Sequence, residues 1–186
     1  MSAQPELRTQ RLLLRRWRES DRLPFAALNA DPVVMAHFPR TLSRRESEAS
    51  IDRIEANFAK HGFGLWATEL LASEVFIGFV GLWLPTFDAH FMPAVEVGWR
   101  LARPHWGQGY ATEAARAVVS FGFDQLKLVE IVSFTVPGNI RSRRVMERLG
   151  MKHDPNADFE HPLVPVGHPL RGHVLYRLRP SDLATA

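Results

Sequence analysis

The sequence predicts a mixed α/β fold in a single domain that spans residues 1–186. Its 186 residues, 46% of them hydrophobic, suffice for one well-formed core and are few for two. Short apolar segments rich in Val, Phe, Trp and Gly indicate strands, whereas apolar residues at helical spacing indicate helices. Across residues 94–150 these patterns alternate as strand, loop, helix, strand, loop, helix.

The first part of the chain predicts one strand and two helices. Residues 11–17 have the character of a strand, and Ser20-Asp21 offers an N-cap for a helix that follows. The second helix begins at Ser43 and Glu46, whose spacing is that of a capping box. Gly62 supplies its C-terminal stop, since glycine adopts the left-handed backbone that commonly ends a helix.

Three extended segments come next, at roughly 64–70, 75–84 and 94–101. Each is too short for a helix and has the composition of a strand. Short connections around Ser73 and Asp88 favour pairing between neighbours, because antiparallel strands need only a tight turn to join them. The sequence therefore predicts an antiparallel meander here.

The chain after the meander alternates between helix and strand. Residues 111–125 are predicted as a helix and residues 130–136 as a strand of β-branched character. Another helix starts after Pro137-Gly138-Asn139 and stops at Gly150. A last strand covers residues 173–178.

Composition excludes several classes of function. The chain has no cysteine, which excludes disulfides, thiolate metal sites and a cysteine nucleophile. Residues 1–6 lack the apolar core of a signal peptide, and the longest apolar run, at 75–84, is about half of the ~20 residues that a membrane span needs. We therefore expect a cytoplasmic protein without a membrane span.

The balance of charge is weakly basic. A net charge of +3 is too slight to imply nucleic acid as a partner. The local cluster Arg141, Arg143 and Arg144 would suit an anionic ligand, although a solvated helix face explains such a cluster equally well.

A glycine loop lies between the third extended segment and the helix at 111–125. A strand, a Gly-x-Gly turn and a helix N-terminus in succession make an anion site, because unpaired N–H groups and the helix dipole point at the same place. Gly107 and Gly109 let the backbone approach a pyrophosphate without an intervening Cβ, and Ala111 and Thr112 supply the first helical N–H groups. By itself, Gly-x-Gly can equally be a tight turn that enters a helix.

Other diphosphate-binding loops fit less well. A P-loop ends in Gly-Lys-Ser/Thr, and no such lysine is present. A Rossmann fingerprint needs a small residue where Thr112 stands and an acid about 20 residues on, near Glu130. In that fold, however, the loop follows the first strand and the acid ends the second, whereas here several strands precede the loop and Glu130 begins its strand. A dinucleotide site that binds NAD stays a minor alternative.

Four ordered segments carry a family resemblance: Thr9-Gln-Arg-Leu-Leu-Leu-Arg15, Glu96-Val-Gly-Trp99, Trp106-Gly-Gln-Gly-Tyr-Ala-Thr-Glu-Ala114, and Val136-Pro-Gly-Asn139 with Ser142 and Leu149-Gly-Met151. In this order they resemble the first strand, the fourth strand, the acetyl-CoA loop and the next helix of the GNAT acetyltransferase superfamily. The likeness is to its branch of ribosomal-protein N-terminal acetyltransferases and their relatives. Trp106 stands where the superfamily has Arg or Gln, as is common in this branch; Arg103 lies farther back and receives no phosphate role.

The resemblance implies a fold and a reaction. The family sheet has about seven mostly antiparallel strands, with a splayed parallel pair at the cofactor site and helices on both faces. The family transfers the acetyl group of acetyl-CoA to a primary amine, either a small molecule or a protein N-terminus, by direct attack in a ternary complex. The pantetheine arm lies in the splay and pairs with backbone groups of the fourth strand. The implied cofactor-binding residues are Val97, Trp99, Leu101, Trp106, Gly107, Gln108, Gly109, Tyr110, Ala111, Thr112, Asn139 and Ser142.

Acetyl transfer also needs a base and an acid. Glu96 is the leading candidate for the base, because by period two it projects opposite to Val97; an ordinary cross-strand acid is the alternative. Ser142 is a candidate for protonating the leaving thiolate, and Asn139 is equally a helix N-cap. Tyr176 is a remoter acid candidate, since most strand tyrosines are simply packed.

The tail and the overall role leave alternatives open. Residues 154–172 are predicted as a surface loop, and its His161 and His168, with the neighbouring His173, lack the spacing of a metal site; we expect a substrate-facing loop and no metal. A non-catalytic acyl-CoA-binding or sensory module is the alternative to an enzyme. Either a monomer or a homodimer is compatible with the sequence.

Overall fold

The computed structural model describes residues 6–183. Its strands are β1 (Leu7–Arg8), β2 (Leu12–Arg15), β3 (Leu65–Leu70), β4 (Phe76–Trp83), β5 (Glu96–Leu101), β6 (Ile131–Thr135), β7 (Lys152–His153), β8 (Phe159–Glu160) and β9 (Gly172–Leu178). Its helices are α1 (Arg22–Ala30), α2 (Arg44–His61), α3 (Tyr110–Asp124), α4 (Ile140–Arg148) and α5 (Pro180–Leu183). None of the helices in the described part is long and apolar enough to cross a membrane.

The nine strands form one sheet in the order β1-β2-β3-β4-β5-β6-β9-β7, with β8 also paired to β9. Every pair is antiparallel except β5 with β6, which is parallel. The predicted mixed α/β fold is therefore confirmed. The sheet has nine strands where about seven are expected. Three of the nine, β1, β7 and β8, have only two residues each. The dinucleotide alternative is wrong, since that fold requires a mostly parallel sheet.

Register assigns each helix to a face of the sheet, because paired residues on neighbouring strands point the same way. Phe79 of β4, which pairs with Arg100 of β5, packs against Phe25 of α1 and Ile51 of α2. We call this side the α1 face. The opposite side, the α3 face, buries the alternate residues of β5 against α3: Val97, Leu101, Ala114 and Val118 lie in one cluster. Helices thus cover both faces, as expected.

Local capping signals fold as the sequence predicts in α2 and α4. The Ser43 side chain accepts a hydrogen bond from the N–H of Glu46, and the Glu46 carboxylate accepts one from the N–H of Ser43. Gly62 ends α2 with φ of 77°. Asn139 caps α4, since its side chain accepts from the N–H of Ser142. These signals are readable because both partners lie within three residues of each other.

Helix α1 begins where the sequence predicts, with Asp21 in the N-cap position, but the predicted side-chain cap is absent. Ser20 and Asp21 lie in a 3₁₀ turn, Glu19–Asp21, and α1 begins at Arg22 without a side-chain cap. The Asp21 carboxylate is instead bound by Arg15, whose Nη1 lies 2.7 Å from Oδ2. The same carboxylate also accepts from the backbone N–H of Arg18 at 2.7 Å, so it caps the 3₁₀ turn and not α1.

Two connections differ from expectation. The link between β4 and β5, residues 84–95, is long rather than short, and its Phe87 and Phe91 pack with Phe134 of β6 in an aromatic cluster. The segment 154–172 is not simply a surface loop, because it contains β8 and a 3₁₀ turn, Pro155–Ala157, whose Ala157 is buried in the same cluster. Neither contact is visible in the sequence, since each joins distant segments.

The strongest buried polar contact in the sheet centres on Arg15. Its side chain is 3% exposed and lies between the carboxylates of Asp21 and Glu69, each 2.7 Å away. This network fastens the turn before α1 to β2 and β3 on the α1 face. Both acids are themselves buried, so each needs the guanidinium to compensate for lost hydration.

We expect Arg15→Leu to lower the free energy of unfolding by about 3–5 kcal/mol, because it leaves two carboxylates buried without their cation. The measurement is urea unfolding followed by circular dichroism. Arg44→Leu is the matched control: Arg44 pairs with Glu48 at the surface, so its loss should cost less than about 1 kcal/mol. Equal losses in the two variants would contradict the role assigned to Arg15.

Candidate active site

The site begins at the gap between β5 and β6. These strands share a single register pair, Glu96 with Val132, where the Val132 N–H donates to the Val95 carbonyl at 2.9 Å. Because backbone groups alternate sides along a strand, those of Val97, Trp99 and Leu101 point the same way as Val95. The N–H of Val97 still belongs to this pair, whereas the groups of Trp99 and Leu101 lie beyond it and face the gap instead of a partner strand. This is the splay that the family resemblance implies.

Side chains on this strand separate into two groups. Val97 and Leu101 are 0% and 6% exposed and lie in the core on the α3 face. Their backbone groups face the gap, so a ligand there would meet the main chain. The Leu101 carbonyl is already used, since the Trp106 indole donates to it at 2.7 Å. The Trp99 backbone consequently stands at the centre of the open stretch.

The glycine loop lies at the carboxyl end of β5 and opens α3. Gly107 and Gly109 have φ of 76° and 83°, left-handed values that favour glycine. No described residue accepts a hydrogen bond from the N–H groups of 107–112; the first helical bond is from the Glu113 N–H to the Gly109 carbonyl. The Thr112 hydroxyl is enclosed and likewise has no partner. An exposed row of donors at a helix N-terminus is an anion site.

Arg11, the residue before β2, borders this loop and is a residue that the sequence analysis missed. Its Nη1 donates to the Gln108 carbonyl at 3.0 Å, and its guanidinium lies 4.6 Å from the centre of the Tyr110 ring. Glu113 holds it in place, with Arg11 Nε 2.6 Å from the carboxylate. Arg11 and Glu113 are 102 residues apart, and no local pattern connects them.

The start of α4 lies near the loop. Arg141 places its guanidinium carbon 4.7 Å from the Trp106 ring, which connects α4 to the residue that opens the loop. Asn139 is fixed from both sides, since its amide nitrogen donates to the Thr135 hydroxyl at 3.0 Å while its oxygen caps the helix. The Ser142 hydroxyl forms no hydrogen bond with a described residue. Arg103 is exposed, in the 3₁₀ turn Arg103–His105.

Glu96 lies where the pairing of β5 and β6 ends. It is on the α1 face, since it alternates with Val97, and its carboxylate forms no hydrogen bond or ion pair with any residue from 6 to 183. Burial without a compensating cation raises the pKa of its carboxyl to about 8. Its Oε1 lies 3.7 Å from the place that a Cβ would take at Gly98. The carboxyl therefore leans along the strand over a glycine.

Tyr176 is far from this carboxyl. It pairs with Ser133, on the face opposite to Val132 and Glu96, and is 2% exposed. Its hydroxyl donates to Glu147 at 3.2 Å and accepts from Arg143 at the same distance. This phenol therefore joins β9 to α4 as a packed, bonded group.

The tail histidines pack as aromatic rings. His161 and His173 have ring centres 5.0 Å apart, beside Phe134 and Phe159. Burial, with the charges of His173 and Arg171, lowers the pKa of His161 to about 4. Among residues 6–183, no group of three histidines, aspartates or glutamates is placed to hold a metal ion. The cluster lies on the α1 face, as Phe134 alternates with Ser133.

Comparison with known proteins agrees with this arrangement. Residues 11–152 match the model of the acetyltransferase (GNAT) domain. The chain belongs to the GNAT acetyltransferase family. It is 32% identical to Bacillus subtilis YkkB over 82% of this chain and 88% of the relative. It is also 32% identical to the FsC-acetyl coenzyme A-N(2)-transacetylase of Aspergillus fumigatus, over 82% of this chain and 67% of the relative. The acetyltransferase of Agrobacterium tumefaciens has the same fold, with a TM-score of 0.74, 30% identity and 96% coverage of both chains.

The family fixes the cofactor and the class of enzyme. GNAT acetyltransferases use acetyl-CoA, and this GNAT chain is an acetyl-CoA-dependent N-acetyltransferase. The residues present fit such a ligand. The free N–H groups of 107–112 and the unpartnered Thr112 hydroxyl suit a pyrophosphate, and the open backbone beside Trp99 suits an amide-bearing arm.

Proposed function

We propose that this GNAT enzyme acetylates a primary amine by direct attack in a ternary complex, with Glu96 as general base. The observation that carries the proposal is the Glu96 carboxyl, unpaired and with a pKa of about 8, at the point where β5 leaves β6. Acetyl-CoA supplies an activated acetyl thioester. The chain's own residues hold that thioester, polarise it and remove a proton from the amine.

The cofactor would be held mainly by backbone groups. We assign the pyrophosphate to the N–H groups of 107–112, because they are free and the α3 dipole adds partial positive charge there. Arg11 stands beside them as a further cation. The arm would extend along Val97, Trp99 and Leu101, completing the ladder that β5 and β6 leave open. Trp106 and Tyr110 brace the loop through Leu101 and Arg11.

Glu96 suits proton removal for a physical reason. A base works best when its pKa is close to the working pH, and burial has raised the pKa of this carboxyl to that range. A carboxylate paired with Arg or Lys would stay ionised and be a weaker base. The N–H of Trp99 faces the gap and can donate to a thioester carbonyl as negative charge develops on it.

Ser142 is our candidate for returning a proton to the departing thiolate. It lies in the first turn of α4, its backbone N–H is fixed by Asn139, and its hydroxyl is free of partners among the described residues. Tyr176 is less suited, because its hydroxyl is occupied by Arg143 and Glu147.

The acceptor is assigned as a primary amine of a small molecule or a protein N-terminus. One relative is named for transfer to an N(2) position, which supports nitrogen as the acceptor atom. The test is thiol release from acetyl-CoA with a panel of amino acids, polyamines, aminoglycosides and short peptides with different N-termini. We expect turnover with some amines and none with matched alcohols, and no acetylated protein in the mass spectrum. Binding of acetyl-CoA without thiol release for any amine would contradict the proposal.

Gly109→Glu should weaken acetyl-CoA binding at least about tenfold, or ~1.4 kcal/mol. A Cβ there would lie 3.5 Å from Arg11 Nη2, so the new carboxylate can pair with Arg11 and compete for the anion site. Isothermal titration calorimetry measures the affinity. Gly62→Glu is the matched control, because Gly62 has a similar φ of 77° with nothing within 4 Å. It shares the backbone strain and should leave affinity unchanged; undiminished affinity in Gly109→Glu would refute the loop assignment.

Glu96→Gln should lower kcat/KM by roughly 100-fold to 10,000-fold, the usual contribution of a general base. In the unmodified enzyme the active form is the ionised carboxylate, so kcat/KM should rise tenfold per pH unit up to about 8 and then level off. An acceptor whose amine has a pKa below 6 keeps the amine's own ionisation out of this range.

Glu96→Gln should lose the rising limb of the pH profile of kcat/KM. Glu19→Gln, at a side chain 87% exposed, is the control and should retain both the rate and the profile. If Glu96→Gln keeps the limb near pH 8, another group is the base.

A further inference from the structure

Arg100, on the α1 face of β5, carries a charge that the reaction above does not use. Its Nη1 donates to Asn29 Oδ1 at 2.6 Å. The rings of Phe38 and Phe79 lie 4.2 and 5.4 Å from its guanidinium carbon. Asn29 is itself fixed, since its amide nitrogen donates to the Ser47 hydroxyl at 3.1 Å. The guanidinium is therefore held in one orientation by neutral groups.

No carboxylate compensates this guanidinium within the described residues. Its Nε is enclosed without a hydrogen-bond partner, and Nη2 has none either. Burial alone lowers the pKa of Arg100 to about 10, so the cation is less stable here than in water. Arg15, on the same face with two strands between it and Arg100, lies instead between Asp21 and Glu69. A cation enclosed without a counterion destabilises a fold, and its unpartnered nitrogens can be compensated by an anionic ligand.

Open space separates Arg100 from Glu96. Gly98 lies between them on the same face, and a Cβ there would meet only Glu96 Oε1, at 3.7 Å. Gly98 and Arg100 are two residues apart, about 6.6 Å along a strand. A ligand over Gly98 would thus have a carboxylate base at one end and a fixed guanidinium at the other.

We propose that Arg100 selects acceptors that carry a carboxylate a few bonds from the reacting amine. The amine lies at Glu96, the body of the acceptor lies over Gly98, and the carboxylate pairs with the Nε–Nη2 edge of Arg100. That edge is the one left free by Asn29, and its two parallel donors match the two oxygens of a carboxylate. This inference rests on the proposed amine acetylation and names its substrate class. The carboxylate can belong to a free amino acid or to an acidic residue next to a peptide N-terminus.

The test compares acceptors that differ only in this charge. One pair is an ω-amino acid and its carboxamide; the other is a short peptide with Asp or Asn in second position. We expect kcat/KM to favour the carboxylate member of at least one pair by about tenfold or more, mainly through KM. In Arg100→Met this ratio should fall to about one, and Arg100→Lys should keep part of it, since it retains charge without the fork.

Arg44→Met, at an exposed arginine on α2, is the control and should leave the ratio unchanged. Arg100→Met should fold, because it removes a buried charge that has no counterion. Gly98→Leu gives an independent reading: it should raise KM for every acceptor while leaving acetyl-CoA affinity intact, since that site uses backbone groups.

The outcomes separate this inference from the proposed function. Turnover without preference in either pair, or a preference that survives in Arg100→Met, overturns the role of Arg100 alone. If no amine is acetylated, the proposed function fails. The role of Arg100 is then tested by calorimetric binding of the carboxylate acceptors with coenzyme A present. Lower affinity in Arg100→Met supports that role, and equal affinity in the two proteins overturns it.

Discussion

The site depends on one structural constraint, the single register pair between β5 and β6. The two strands are parallel, so a crossover through α3 joins them. The carboxyl ends of both strands therefore lie at the same edge of the sheet. Since pairing stops after Glu96, the backbone beyond it has no partner strand. Backbone groups without a partner strand can pair with a ligand, which is why we propose the gap as the place of the cofactor's arm. The glycine loop lies at that edge because it is the link from β5 into α3.

Alternate residues of β5 lie on opposite faces of the sheet and have different roles. Val97 and Leu101 fill the core against α3 and anchor the strand. Glu96, Gly98 and Arg100 lie on the other face, the α1 face. Because a strand reverses side at every residue, a rigid core and an open site can occupy the same six residues. A shift of register by one would turn Glu96 toward α3 and Val97 toward the α1 face, so the packing of the core also fixes the position of the carboxyl.

The sequence could predict the features that depend on residues close together in the chain, such as caps and turns, and little else. The caps at Ser43, Gly62 and Asn139 and the turn of the glycine loop follow from groups a few positions apart. Arg11 at the loop and Asp21 at Arg15 depend on partners that only the folded chain supplies. The isolation of Arg100 is hidden for the same reason, because the absence of a counterion is a property of the surroundings. Resemblance to a family supplied the splay between β5 and β6, which no local pattern encodes.

Arg15 and Arg100 show how one face of a sheet can treat the same residue type in opposite ways. Arg15 is enclosed with two acids, and the three charges together stabilise the start of α1. Arg100 is held by an amide and two rings, which orient the guanidinium without neutralising it. Orientation before binding reduces the entropy that a ligand loses on arrival, while the missing counterion leaves the full charge for that ligand. We expect the free protein to be less stable than it would be with an apolar side chain there, because the proposed acceptor site keeps a charge without a counterion.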